Sequence, residues 1–142
     1  MEIRMAQAED FAFLSQHDRH IGPKELQEQI ERERILIAQQ DGRAIGWLRW
    51  NLFWDNTPFL NLLFLLEEHR QKGYGRQLMQ EWERLMAQQG FGLLMTSTLS
   101  NEQAQHFYRA LGYRDAGGLL LEGEPLEIFF IKRLDSGKRE DR

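Results

Sequence analysis

A run that is apolar at nearly every position, Phe59 to Leu66, most constrains how this chain can fold. Such a run is typical of a central strand that is covered on both faces of its sheet. A basic turn with glycines follows, and from Gly75 to Gln89 apolar residues recur at helical spacing. Gly90 suits the end of this helix, and Phe91 to Thr98 predicts a further strand. The segment therefore predicts a parallel strand–helix–strand unit with a right-handed connection.

Further strands and helices are predicted on both sides of this unit. Two β-rich runs joined by Asp41-Gly42 carry the strongest hairpin signal in the chain. Together the elements predict one mixed α/β sheet with helices packed on it. The other predicted strands are Met1 to Met5, Ile35 to Gln39, Ala44 to Asn51, Gly118 to Leu121 and Glu127 to Arg133, and the other predicted helices are Glu9 to His17, Pro23 to Arg34 and Asn101 to Leu111.

Length and charge limit the class of protein. The 142 residues suffice for one domain with a buried core, which we expect over residues 1–134, followed by a flexible charged tail over residues 135–142. A formal net charge of −4 makes the chain a poor partner for nucleic acid. The run from Phe59 to Leu66 is too short to span a membrane, and the first residues lack a signal-peptide pattern. A cytoplasmic protein is therefore expected.

Metal and thiol chemistry are not expected. The absence of cysteine excludes disulfides, thiolate ligands and thiol nucleophiles. The histidines lack metal-ligand spacing, so no metal site is predicted. We expect His17 and His20 to be polar surface residues. The four histidines are His17, His20, His69 and His106.

The basic turn after the central run allows two interpretations. Gly73 and Gly75 would let the backbone turn sharply and approach an anion at the start of a helix, where free N–H groups bind phosphate. Arg70, Lys72 and Arg76 add positive charge at the same place. The alternative is a solvated surface turn in which the glycines serve only the backbone geometry. The turn lacks the sequence patterns of a P-loop and of a Rossmann dinucleotide site.

Two motifs together resemble the GNAT superfamily of N-acetyltransferases. The first is Arg70-Gln71-Lys72-Gly73-Tyr74-Gly75, and the second is the stretch LSNEQAQHFYRALGY at residues 99–113. The resemblance implies a mixed, mostly antiparallel twisted sheet with a splayed central parallel strand pair and flanking helices. It also implies acetyl-CoA-dependent transfer of an acetyl group directly to a primary amine of a small molecule or peptide.

The resemblance assigns donor-binding roles to particular residues. Main-chain N–H groups from Gln71 to Arg76 would hold the pyrophosphate of acetyl-CoA, and Asn101 would contact the pantetheine arm. The main chain from Leu63 to Leu66 would pair with that arm, and an N–H near Leu65 or Leu66 would stabilise the oxyanion. The implied donor-binding residues are Leu63, Phe64, Leu65, Leu66, Arg70, Gln71, Lys72, Gly73, Tyr74, Gly75, Arg76, Asn101 and Tyr108.

Tyr108 matches the tyrosine that protonates the departing thiolate in this family. Helical spacing predicts that Asn101, Gln105 and Tyr108 line one side of a helix. Tyr108 would then lie beside an apolar stripe rather than at its centre. The predicted stripe is Ala104, Phe107 and Leu111, and Ser100 with Gln103 would form a capping box.

The base that deprotonates the acceptor amine is not evident. Relatives place a glutamate at positions that correspond here to Asn61 and Thr96, and neither is a useful base. Deprotonation could instead run through ordered water to a more distant carboxylate, or the acceptor could bind neutral and need no dedicated base. Glu67 and Glu68 are expected to be solvated, whereas one of three acids near the last hairpin could enter the acceptor pocket: Glu122, Glu124 or Glu127. The missing carboxylates also leave open a non-catalytic acyl-CoA-binding sensor or interaction domain.

A group of aromatic residues precedes the central strand in the sequence. On one regular strand Trp47 and Trp50 point to opposite faces, so one of them is expected in the core. Trp50, Phe53 and Trp54 allow either core packing, an aromatic acceptor pocket or a homodimer contact.

Overall fold

The computed structural model describes residues 1–134, so the predicted tail at residues 135–142 lies outside the described residues. The strands are β1 (Glu2–Met5), β2 (Ile35–Gln40), β3 (Arg43–Phe53), β4 (Thr57–Leu65), β5 (Leu93–Leu99), β6 (Arg114–Leu119) and β7 (Glu127–Arg133). The α-helices are α1 (Phe11–His17), α2 (Pro23–Glu31), α3 (Tyr74–Gln88) and α4 (Ala104–Ala110), and 3-10 helices occupy Ala8–Asp10 and Glu67–His69. No helix in this range is long and apolar enough to cross a membrane.

The described strands form one mixed sheet in the order β1-β2-β3-β4-β5-β7-β6. β4 and β5 are parallel, with Phe59 opposite Met95 and Leu60 opposite Thr96. The pairs β1–β2, β2–β3, β5–β7 and β6–β7 are antiparallel. The predicted fold class is confirmed, and the predicted strand–helix–strand unit is present as β4, α3 and β5.

The chain divides into two compact units. The first unit comprises Met1–Trp50 and Leu62–Trp82, and the second comprises Asn51–Asn61 and the described residues from Glu83 onward. β4 and α3 therefore contribute residues to both units.

In the first unit, the hairpin predicted at Asp41-Gly42 is confirmed. Gln40 lies opposite Arg43, which leaves Asp41 and Gly42 as a two-residue turn. Their φ angles are 52° and 77°, and a type I′ turn requires a positive φ at both central residues.

Both tryptophans of β3 lie in the core of the first unit, so the prediction that one of them is buried was too narrow. Trp47 is 0% exposed and Trp50 is 3% exposed. The Trp47 ring lies 5.0 Å from Phe64 and 5.7 Å from Phe13, whereas the Trp50 ring lies 6.2 Å from Trp82 of α3. α1 and α3 thus supply aromatic partners on the two faces of β3, which is why both side chains are buried.

In the second unit, β6 starts earlier than predicted. It begins at Arg114 rather than Gly118 and pairs with β7 through an irregularity between Asp115 and Gly117. All of its residues are exposed. Glycine and aspartate are poor strand formers, so this edge strand exists through its pairing with β7 and has no alternating pattern of its own.

Candidate active site

The basic glycine motif lies between β4 and α3. Gln71 and Gly73 have φ angles of 63° and 82°, and the Gln77 N–H donates to the Gly73 carbonyl at 3.1 Å as α3 begins. A Cβ at Gly73 would meet no atom within 4 Å, so its left-handed backbone is what favours glycine there. The sharp turn occurs at Gly73, whereas Gly75 lies in the first turn of α3. The first N–H groups of a helix lack intrahelical acceptors, and they can donate to an anion.

The basic side chains of this loop have different surroundings. Arg70 donates through Nε to the Leu65 carbonyl at 2.8 Å, and its guanidinium lies 4.9 Å from the centre of the Phe64 ring. Its charge is therefore held against the end of β4. Lys72 and Arg76 are exposed.

The end of β4 is held by β3. The Leu66 N–H donates to the Ile45 carbonyl at 2.8 Å. A Cβ at Gly46 would lie 2.6 Å from the Phe64 carbonyl oxygen, so only glycine permits this approach of the two strands. Because successive N–H groups of a strand point to opposite sides, the Leu65 N–H points away from β3. Gly46 was not identified from the sequence, although an isolated glycine within a strand pattern signals a close backbone approach.

The helix that carries Tyr108 is shorter than predicted. α4 begins at Ala104, and Asn101 lies in the turn before it. The prediction that Asn101, Gln105 and Tyr108 share one side of a helix is therefore wrong. The motif at residues 99–113 contains good helix formers on both sides of Ala104, so spacing alone could not locate the start.

Side chains hold the turn before α4 in a different way from the predicted capping box. The residue before the helix is Gln103, which makes no capping hydrogen bond, so the box at Ser100 is absent. Instead, the Glu102 carboxylate accepts from the Leu99 N–H at 3.0 Å. The Gln105 amide donates to the carbonyls of Ser100 and Glu102 at 2.8 and 2.9 Å.

The buried face of α4 also differs from the prediction. Tyr108 is 7% exposed, whereas Ala104 of the predicted stripe is exposed. The Tyr108 ring makes edge contacts with Phe107 at 5.2 Å and Tyr113 at 5.8 Å, and lies 6.3 Å from Phe130. These aromatic partners, two of them beyond the helix, draw Tyr108 to the centre of the buried face.

The surroundings of Tyr108 favour its protonated form. Burial raises the pKa of Tyr108, a hydrogen bond with Thr96 opposes this rise, and the charge of Glu102 adds to it. The net pKa lies well above the ordinary value of about 10 for tyrosine. A buried phenol that stays neutral can donate a proton during a reaction.

The two positions at which the family resemblance implies a base, Asn61 and Thr96, carry no carboxylate. Thr96 is 1% exposed and donates through its hydroxyl to the Leu60 carbonyl at 3.1 Å. Asn61 is exposed. Glu67, Glu68, Glu122 and Glu124 are exposed, and Glu127 is half-buried on β7.

The first unit contains a buried ion pair that the sequence analysis missed. Asp18 accepts from Arg49 Nε at 2.7 Å, from Trp47 Nε1 at 3.2 Å and from the His20 N–H at 3.1 Å. The side chains of Asp18 and Arg49 are 0% and 7% exposed. An arginine within the apolar run of β3 was the available signal, because a buried charge needs a partner.

His17 is half-buried, so the prediction of a surface residue holds for His20 and not for His17. The His17 ring lies 4.5 Å from Phe13 and 6.4 Å from Trp47. In residues 1–134, no group of three or more His, Asp or Glu side chains is arranged to hold a metal ion.

The aromatic residues before β4 are divided between the two units. Trp50 packs in the first unit, whereas Phe53 and Trp54 belong to the second. There, the Phe53 ring lies 4.6 Å from Trp54 and 6.1 Å from Phe59. Trp54 is 55% exposed, so an acceptor contact and a contact with a second copy both stay predictions.

Comparison with known proteins identifies the family. A family model described as Acetyltransferase (GNAT) family matches residues 3–113. A putative acetyltransferase from Salmonella typhimurium, determined with acetyl-CoA, is 18% identical with a TM-score of 0.80, covering 99% of this chain and 98% of that chain. An aminoglycoside 6'-N-acetyltransferase complexed with coenzyme A is 18% identical with a TM-score of 0.79, covering 99% and 100%. The ribosomal-protein-alanine N-acetyltransferase from Brucella melitensis is 18% identical with a TM-score of 0.76, covering 94% and 99%. With its mixed sheet, its glycine turn before α3 and a family match over most of its length, the chain belongs to the GNAT family of acetyltransferases.

Proposed function

We propose that this protein transfers an acetyl group from acetyl-CoA directly to a primary amine of a small molecule or peptide. The observation that carries the proposal is the left-handed turn at Gly73, which opens α3 within a chain of this family. Relatives of the same fold were determined with acetyl-CoA or coenzyme A bound. Without cysteine the chain has no thiol to carry an acyl-enzyme intermediate, which favours direct attack by the amine. Residues 1–134 act in this proposal as one domain, in the cytoplasm.

The donor's pyrophosphate lies, in this proposal, at the first turn of α3. Main-chain N–H groups from Gln71 to Arg76 donate to its oxygens, because that end of the helix has free donors and positive potential. The exposed side chains of Lys72 and Arg76 add charge, and Arg70 contributes its charge from beside the Leu65 carbonyl.

The pantetheine arm pairs with the main chain from Leu63 to Leu66, with Asn101 as a further contact. Leu66 already donates its N–H to Ile45, so Leu65 is the oxyanion donor that we propose. Tyr108 protonates the departing thiolate. The chain offers no carboxylate at Asn61 or Thr96, so the acceptor amine loses its proton through ordered water to a more distant carboxylate, or binds neutral without a dedicated base.

Turnover on a library of amines and peptides tests the function. We expect release of coenzyme A thiol above the rate without acceptor for at least one primary amine, with the acetylated product seen by mass spectrometry. Tight binding of acetyl-CoA without turnover on any member would contradict the proposal and support a non-catalytic acyl-CoA-binding sensor.

Replacing Gly73 with aspartate should weaken acetyl-CoA binding by about tenfold or more, because it adds a negative charge and a Cβ where the phosphates lie. Calorimetric titration measures the affinity. Gly42→Asp is the matched control: Gly42 also has a positive φ and open space at its Cβ, but it lies in the β2–β3 turn. Equal affinities of Gly73→Asp and Gly42→Asp would place the phosphates elsewhere.

A further inference from the structure

The end of α4 is a turn that ties Tyr108 to Tyr113. The Tyr113 N–H donates to the Tyr108 carbonyl and the Gly112 N–H to the Arg109 carbonyl, both at 3.0 Å. Gly112 has a φ of 94°, which completes a Schellman turn. The ring contact between Tyr108 and Tyr113, at 5.8 Å, is the apolar contact that commonly accompanies this turn.

Two further elements hold this turn from outside the helix. The Tyr113 hydroxyl donates to Glu83 Oε2 of α3 at 2.8 Å. Lys132 of β7 donates through Nζ to Glu83 Oε1 at 3.0 Å and to the Leu111 carbonyl at 2.7 Å. Both carboxylate oxygens of Glu83 are therefore used. Tyr113 is 2% exposed, and the side chains of Glu83 and Lys132 are 14% and 26% exposed.

We propose that Glu83, Tyr113 and Lys132 are positioning residues that fix the last turn of α4 and, through it, the ring of Tyr108. The inference rests on the proposed role of Tyr108 as the acid. In this proposal the three residues act through Tyr108 and not on the reacting atoms themselves. Glu83 lies on α3, Tyr113 in the chain after α4 and Lys132 on β7, and all three residues belong to the second unit.

The hydrogen bond from Tyr113 to Glu83 persists at neutral pH because Tyr113 stays protonated. Burial raises the pKa of Tyr113 well above its usual range, and the charge and hydrogen bond of Glu83 raise it further, so the hydroxyl stays a donor. Lys132 balances the Glu83 charge and also lies 5.5 Å from the centre of the Tyr113 ring. An acid must be placed closely to be effective, since a displacement of about 1 Å can cost about 100-fold in rate.

Tyr113→Phe tests the proposal because it keeps the ring and the turn but removes the hydrogen bond to Glu83. We expect kcat to fall about tenfold, with the KM for acetyl-CoA within about twofold of wild type. In a Tyr108→Phe background the same change should leave kcat unaltered. An equal loss in both backgrounds would show a merely structural role, and an unchanged kcat beside Tyr108 would also overturn the proposal. Full activity of Tyr108→Phe alone would overturn the role of Tyr108 together with its positioning.

A second measurement does not depend on turnover, so it separates this inference from the proposed function. The chain has three tyrosines, so 3-fluorotyrosine labelling yields three fluorine resonances that single Tyr→Phe variants assign. Glu83→Gln should shift the Tyr108 resonance. Asp115→Asn is the matched control and should leave the Tyr108 resonance in place, because Asp115 accepts from Arg109 of α4 at 2.9 Å but is exposed. A Tyr108 resonance that is unmoved in Glu83→Gln would overturn the positioning role even in a protein without measurable activity.

Discussion

Replacing Tyr108 with phenylalanine should lower kcat by about 100-fold, which is the low end of what a positioned general acid contributes. The phenol is the group that we propose to protonate the coenzyme A thiolate, and phenylalanine removes only its hydroxyl. The aromatic contacts with Phe107, Tyr113 and Phe130 remain. Thiol release with an acceptor identified from the amine library measures kcat.

Acetyl-CoA affinity and the unfolding midpoint are the controls for Tyr108→Phe. The affinity should stay close to wild type because the ring is retained, and the unfolding midpoint should fall by only a few degrees, since the variant loses the hydrogen bond with Thr96. Since the pKa of Tyr108 is raised, its ionisation should cause no fall in wild-type kcat below about pH 10. A variant with wild-type kcat would show that another group, or water, protonates the thiolate.

Replacing Arg49 with leucine should lower the free energy of unfolding by about 3–5 kcal/mol at pH 7, because it leaves the Asp18 carboxylate buried without its partner. Such a loss is a large part of the stability of an ordinary domain, about 5–15 kcal/mol. Urea unfolding measures it. The double variant Asp18→Asn with Arg49→Leu should be more stable than Arg49→Leu alone, since no uncompensated charge then remains.

The pH dependence of this variant follows from the pKa of Asp18. Burial alone would raise that pKa, but in the wild type the hydrogen bond and charge of Arg49, with the His20 N–H and the Trp47 indole, lower it below its usual value. The wild type therefore keeps this stability above the unfolded pKa of about 3.9 and loses it as the pH falls through the lower folded value. Without Arg49 burial dominates and the folded pKa rises. The difference in free energy of unfolding between the wild type and Arg49→Leu should then shrink as the pH falls from 7 towards 4. A difference independent of pH would exclude an unpaired carboxylate as its cause.

Local patterns were sufficient for much of the fold. Asp41-Gly42 specified its turn because few residues accept two consecutive positive φ angles. Gly90 marked the end of α3, where the Phe91 N–H donates to Met86 and the Gly90 N–H donates to Ala87. The start of α4 was missed because Asn101 to Gln103 are also compatible with a helix, and the start of β6 was missed because its pairing with β7 outweighs its weak propensity.

By itself, the sequence determined the order of the elements, the glycine turn before α3 and the family, since these depend on residues close together in the chain. Only the tertiary structure decided which side chains surround Tyr108 and which neutralise Asp18. Glu83 meets Tyr113 across 30 positions and Lys132 across 49, and Asp18 meets Arg49 across 31. Contacts of that kind depend on how helices and strands pack, because packing brings together side chains that no local spacing relates.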